Sequence, residues 1–569
     1  GLFSPEKDND NRFSRWEEVN FGEETGGRGV KTYAFYKTAN VSGKTTYPTI
    51  GNNKSFKKYE TENCGDAVTG YNIIDLTTLR NIDFFWKNNG YSCAGVTEPE
   101  NFTVEKAFDE SSGLYQSAKF VVLNDLKLVN CLSGPQIDPT NNAVTWDPLC
   151  SVENDAAAQN KGFDGIFTSK GSAVTISGIS ITSSNANTSV IKYYGLFAKV
   201  IGGTISNFQV DNVFMKGLKN YEAVAAIAGY AENATISDIT FSKFSEYAIA
   251  GGDVQYRNYF NIDGADVNGT RVYIVCQDIK NVGMLVGKAV NSNIERITFN
   301  VSDGSSNQIA QIEGGGTVGS LAGVISGGTV KDIKVYGNSK GHIYVNVKNS
   351  AITAGGIFGQ ITGGAVAENI VVDKTYMIIG NNSGGVTNVG GIIGVMGGDS
   401  IEDKKTVVKG VSFNFPENNN YDINLSANRK SVVSKGVYLF ATKLSTSDST
   451  ITGDNQYGRT GLIVGYIQGG TLSNKDYSYN VKTVVKANAG TMGGLVGLNA
   501  GTVDNIQTGS DFKLLAWLPY DSDITTNSFN VGGHVGFNLS SGIVNECSVV
   551  GSSSTTSAAY TDWTVGHVY

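Results

Sequence analysis

The chain has 569 residues, of which 40% are apolar and 17% charged, with a formal net charge of −8. That balance excludes wholesale disorder and offers no basic footprint for nucleic acid or an anionic membrane. Glycine is abundant at 71 and proline scarce at 8, which excludes collagen-like and linker sequences and points to many ordered tight turns.

Residues 1–70 form an N-terminal extension that begins with the polar stretch GLFSPEKDNDNRFSRWEE. Its run VKTYAFYKTANVSGKTTYPTI (30–50) has strand-like composition, which makes the extension a candidate assembly arm. Starting on Gly1 rather than methionine, the chain reads as exported, with its signal sequence already removed. No run approaches the length of an apolar membrane span.

Residues 71–161 read as a cap and lead-in to the region that follows. Four of the six cysteines, Cys64, Cys93, Cys131 and Cys150, fall in the first 150 residues and are the disulfide candidates for fastening this end. Four cysteines allow three pairings; loop length alone favours Cys64 with Cys93 and Cys131 with Cys150. Cys276 and Cys547 read as reduced, buried small hydrophobes. No CxxC occurs, so no zinc or redox signature is present.

From 162 to 550 the chain repeats itself. GSLAGVISGGTVKDIKV (319–335) returns as GGIFGQITGGAVAENIVV (355–372), GLIVGYIQGGTLSNKDY (461–477), GGLVGLNAGTVDNIQ (493–507) and GGHVGFNLSSGIVNECSV (532–549). Looser copies lie upstream, among them GLFAKVIGGTISNFQV (195–210) and GMLVGKAVNSNIERITF (283–299). Successive anchors from 168 to 536 are separated by 30, 31, 58, 36, 36, 35, 71, 32 and 39 residues. The two long gaps leave two readings open: a degenerate copy, or an excursion loop.

Each unit is a short apolar run between glycines, paired glycines, then alternating apolar and polar residues, as in TVKDIKVY. A period of two marks a strand with one buried face. Short strands with glycine corners at a fixed long period predict an all-β, right-handed parallel β-helix of about 10–12 coils. Stacked coils close each other's backbone hydrogen bonds and share one core, and proline, which lacks the N–H, is excluded. The polar positions Asn207, Asp238, Asp332, Asn474 and Asn505 recur after the paired glycines, with Glu546 in the final copy. Asn and Asp interchange there, which identifies turn positions rather than a catalytic or calcium-binding stripe. Residues 551–569 are polar, then aromatic and β-prone.

The units resemble the GLUG-type glycine-rich repeats of bacterial surface and secreted proteins, with GGLVGLNAGTVDNIQ the best copy. The preceding region resembles the lead-in of such proteins. It would form a short helix (IDLTTLRNIDFFWKN, 74–88), a strand (FVVLNDLKLV, 120–129), an F-D-G-x-F corner at 163–167 and the first coil. The resemblance covers roughly 71–550. It implies a β-solenoid and, from known members, an adhesin or large envelope protein.

Sequence matches to catalytic motifs dissolve in this repeat. GGGTVG (314–319) matches G-x-G-x-x-G, but the segment that follows is too short and glycine-broken for the required helix. GNSKG (337–341) matches G-x-S-x-G, but a strand rather than a helix follows Ser339. With His342, His534 and His567 the only histidines, a triad or a three-histidine zinc site is hard to assemble. Glu295-Arg296 and Lys331-Asp332 read as solvated surface charges, not as the carboxylate pair of a glycan-cleaving enzyme.

The expectation is therefore a non-enzymatic, extracellular structural subunit of a cell-surface filament or envelope assembly, without cofactor or metal. It would self-associate as a homo-oligomer or polymer through its terminal segments. The alternatives are an adhesin binding glycan or host protein through loops, and a polysaccharide lyase or hydrolase.

Overall fold

A computed structural model of the chain describes residues 17–21, 30–34, 65–66, 70–73, 79, 82, 119–128, 146, 148–150, 162–171, 173–182, 193–216, 222–241, 270–276, 278–301, 308–347, 353–380, 388–414, 437–441, 458–475, 478–479, 482–487, 490–508, 513–517 and 529–549.

Each repeat unit folds as one coil. In the unit that starts at 317, strand Thr317–Gly319 leads through a bend into strand Ala322–Val347, which continues across two corners of the coil. Successive coils pair in parallel and in register, Thr317 with Thr353 and Thr353 with Asn388. A nine-stranded parallel sheet stacks the short strands from Tyr193–Tyr194 to Phe529–Gly532. A second ladder runs through twelve strands, from Gly70–Ile73 to the strand Ile543–Asn545. The fold is a parallel β-helix.

The register decides between the two readings of the long gaps. Ala223 pairs directly with Asn281, and Asn388 directly with Arg459. No coil lies between the partners, so neither gap hides a degenerate copy.

The core follows from the alternation. Ile236, Ile294, Val330, Ala367, Val408, Leu472 and Val503 stack one above another along the axis, each 0% exposed. The glycine pairs around each apolar run have a steric cause. A Cβ on Gly355 would stand 1.8 Å from the Phe358 carbonyl oxygen. One on Gly359 would stand 2.5 Å from the Thr317 methyl. Both distances are far inside van der Waals contact, so G-x-x-x-G is the signature of a chain doubling back on itself.

The ladder begins within the segment expected to cap the solenoid. Gly65–Asp66 pairs antiparallel with the start of Gly70–Ile73, and that strand pairs in parallel with Lys119–Val122. Of the predicted helix, Leu79 and Ile82 are described; both are helical and 0% exposed. Strands Glu17–Phe21 and Val30–Ala34 form a separate antiparallel hairpin, the second within the predicted strand-like run.

Cys64, Cys93 and Cys131 lie outside the described residues, and with them both suggested pairings. Cys150 and Cys276 are fully buried, and Cys547 is half-buried against the core. Residues 551–569 also lie outside the described residues.

Candidate functional site

The polar positions singled out by the repeat fall on one corner of the coil. Asn207, Asp238, Asp332 and Asn505 have φ of 66°, 55°, 56° and 55°. This is left-handed backbone, which Asn and Asp tolerate better than other side chains. Glu546 joins them at φ 50°. The same corner also holds Arg296 at φ 54°, Asn369 at φ 56° and Gly410 at φ 68°. The alternation of Asn and Asp extends to Asn369 but does not announce Arg296 or Gly410; the register of the neighbouring strands does, since Glu295 pairs with Lys331 and Glu368 with Lys409.

Asn474 differs. It occupies the same rung but is not left-handed, and its side chain turns inward, 1% exposed. Its Oδ1 accepts the Val411 N–H at 2.7 Å and its Nδ2 donates to the Val411 carbonyl at 2.8 Å. The side-chain amide here replaces a backbone pair between coils.

The corner side chains bond along the axis. The Arg296 guanidinium donates to both oxygens of Asp238 at 2.6 and 2.9 Å. Asn369 Nδ2 donates to Asp332, and Asn207 Nδ2 donates to Ser169 Oγ at 2.8 Å. On the adjacent strand Lys331 and Lys409 flank Glu368 at 3.6 and 2.8 Å. The hydrogen bond from Arg296 holds the Asp238 carboxyl below its ordinary range, and the one from Lys409 does the same for Glu368. A general acid needs the opposite displacement. Among the described residues, no group of three or more His, Cys, Asp and Glu is placed to hold a metal ion.

The motif matches resolve as geometry. Gly314 and Gly316 precede strand Thr317–Gly319, and a Cβ on Gly316 would stand 2.3 Å from the Lys280 carbonyl oxygen. Ser339 and His342 belong to the continuous strand Ala322–Val347, so no strand-to-helix elbow presents the serine. His534 lies on the final coil, and His567 lies outside the described residues.

No protein-family model and no curated protein matches the chain. One solved structure, described as "a putative immunoglobulin A1 protease from Bacteroides ovatus", aligns at a TM-score of 0.26 and 10% identity. The alignment covers 85% of this chain and 84% of that one. At that TM-score no function passes from one protein to the other. The site must be read from the chain itself, and no helix among its described residues is long and apolar enough to cross a membrane.

What remains are two features that the coil geometry does not require. One is the final coil. No described strand stacks on the outer side of Phe529–Gly532, Val535–Asn538, Ile543–Asn545 or Ser548–Val549, and Ile543 is 56% exposed. The other is a tyrosine pair near the first coils, with two carboxylates against it. Tyr193 and Tyr230 have ring centroids 5.1 Å apart. Tyr193 Oη donates to Glu222 at 3.1 Å and Tyr230 Oη to Glu232 at 2.8 Å.

Proposed function

We propose that this protein is a non-enzymatic, extracellular β-solenoid that serves as a structural subunit of a cell-surface filament or envelope assembly. Copies join through their ends. The observation that supports this reading is that, among the described residues, no strand stacks on the outer edge of the final coil. An exposed strand edge is a template for another chain, and strand addition supplies main-chain hydrogen bonds without requiring a large apolar patch. The N-terminal hairpin Glu17–Phe21 and Val30–Ala34 provides strands of suitable length to donate.

Electron microscopy of the native particle, together with solution mass against concentration, tests this. Copies should associate. Ile543→Asp, at a position 56% exposed, should weaken association while leaving the unfolding free energy within about 0.5 kcal/mol of the parent. A chain that stays monomeric at every concentration, and is indifferent to trimming 1–50 and 551–569, refutes the reading.

A further inference from the structure

Tyr193 opens the nine-stranded sheet and leans over Gly229 of the next coil, where any Cβ would stand 2.8 Å from its own Cβ. That missing side chain lets the Tyr193 ring reach Tyr230, at an interplanar angle of 43°. Both rings, and the two glutamates bonded to them, are half-exposed. Register places a lysine on either side of Tyr230, Lys199 on the preceding coil and Lys288 on the following one. Lys199 Nζ stands 5.2 Å from the Tyr193 ring centroid. Burial first, and the facing carboxylates second, raise both phenols above their ordinary range. The hydroxyls therefore remain protonated donors, while each carboxylate keeps unshared acceptor capacity.

We propose that this patch binds a neutral, hydroxyl-rich saccharide, with Tyr230 as its stacking platform. Each sugar hydroxyl both donates and accepts, so a site for it needs donors, acceptors and an aromatic face within one short reach. Glu222 and Glu232 supply acceptors, Lys288 supplies donors, and the ring takes the apolar face of the sugar. A cationic ligand fits less well, because Lys199 already occupies the ring system as a cation. A polyanion fits less well, because two carboxylates stand at the rings. The patch is remote from the final coil, so this inference stands or falls independently of assembly.

The test is calorimetry on the full chain with neutral hexose oligomers (cellohexaose, maltohexaose), hexagalacturonate and the glucosamine hexamer. A neutral hexamer should bind. Tyr230→Ala should weaken it about tenfold, the worth of one aromatic contact. Tyr336→Ala, a tyrosine beneath Lys334 at 5.3 Å on another face of the coil, should leave binding unchanged. Should Tyr230→Ala fail to fold, Tyr230→Phe should keep binding within about threefold and Lys288→Met should lose more than that. Binding of none of the neutral hexamers overturns the proposal, as does preference for the charged ones. So does equal affinity in the folded Tyr230→Ala protein.

Discussion

The two ends of the solenoid are built differently. At the N-terminal end the antiparallel strand Gly65–Asp66 pairs with the start of the first rung, and Leu79 and Ile82 are fully buried in the core cluster. The coils there are filled by a column of phenylalanines. Phe120, Phe163, Phe197, Phe167 and Phe208 follow one another at centroid separations of 6.2, 4.8, 5.3 and 4.7 Å. At the C-terminal end the interior turns polar. Asn499 takes the place that Ile467 holds one coil earlier, and its Nδ2 donates to Asn538 at 2.7 Å. His534 and the half-buried Cys547 stand above Leu495 and Ile506. One end carries an antiparallel edge pairing and an apolar fill. The other tapers into side chains that tolerate water, and no described strand stacks on its outer edge. A stacked array needs both of its ends dealt with, and here only one is finished within the described residues.

The largest effect should come from the filled end. Phe167→Ala removes a fully buried ring from the column and should cost about 3–5 kcal/mol, read from urea unfolding. Val535→Ala, 8% exposed on the final coil, should cost far less. Equal losses would erase the distinction between the ends.

Glycine substitutions sharpen it. A Cβ on Gly493 would meet the Val496 carbonyl oxygen at 1.7 Å, and one on Gly532 would meet the Val535 carbonyl oxygen at the same 1.7 Å. The local clash is the same, but Gly493 has coils on both sides and Gly532 on one. Gly493→Ala should cost about 3 kcal/mol or more and lower protection in the coils on both sides of it. Gly532→Ala should confine its damage to 529–549. Hydrogen exchange resolved by segment reads both.

Much of this architecture is legible in the sequence. The repeat spacing counts coils, and the alternation in TVKDIKVY assigns faces, because a strand and a glycine corner each have a fixed local period. The corner at Asp238 and Asp332 is legible because left-handed backbone restricts the residues that sit there. Arg296 escapes that rule, since its ion pair with Asp238 offsets an unfavourable φ and only register exposes its role. Asn474 escapes it because its side chain turns inward and bonds the Val411 backbone of the preceding coil, while its own backbone is not left-handed. The tyrosine site is illegible for a different reason. Tyr193 and Tyr230 occupy different strands of consecutive units, so aligning the units never brings them to the same column.

At the corners, Asp332→Gly keeps φ 56° without strain and should lie within about 0.5 kcal/mol of the parent. Asp332→Val forces a β-branched residue into left-handed backbone and should cost about 1–2 kcal/mol. A valine that costs nothing would mean the corner relaxes freely, contrary to its bonding with Asn369.

The smallest expected effect separates the ends by pH. Burial lowers the His534 pKa below its ordinary value, opposed in part by the Nε2 hydrogen bond to the Ser548 carbonyl at 3.0 Å. A carbonyl only accepts, so Nε2 carries a proton, and the burial that lowers the pKa favours the neutral ring at neutral pH. A histidine whose folded pKa lies below its unfolded value contributes stability above about pH 6.5, and that contribution is lost as pH falls through the folded value. The final coil should therefore loosen on mild acidification, with faster amide exchange at Ser548, while the phenylalanine-filled end holds. His534→Leu restores the residue type of Leu495 one coil earlier and should abolish the pH dependence while raising protection at neutral pH. Unchanged acid sensitivity in that variant would show that the histidine is not the source of the loosening.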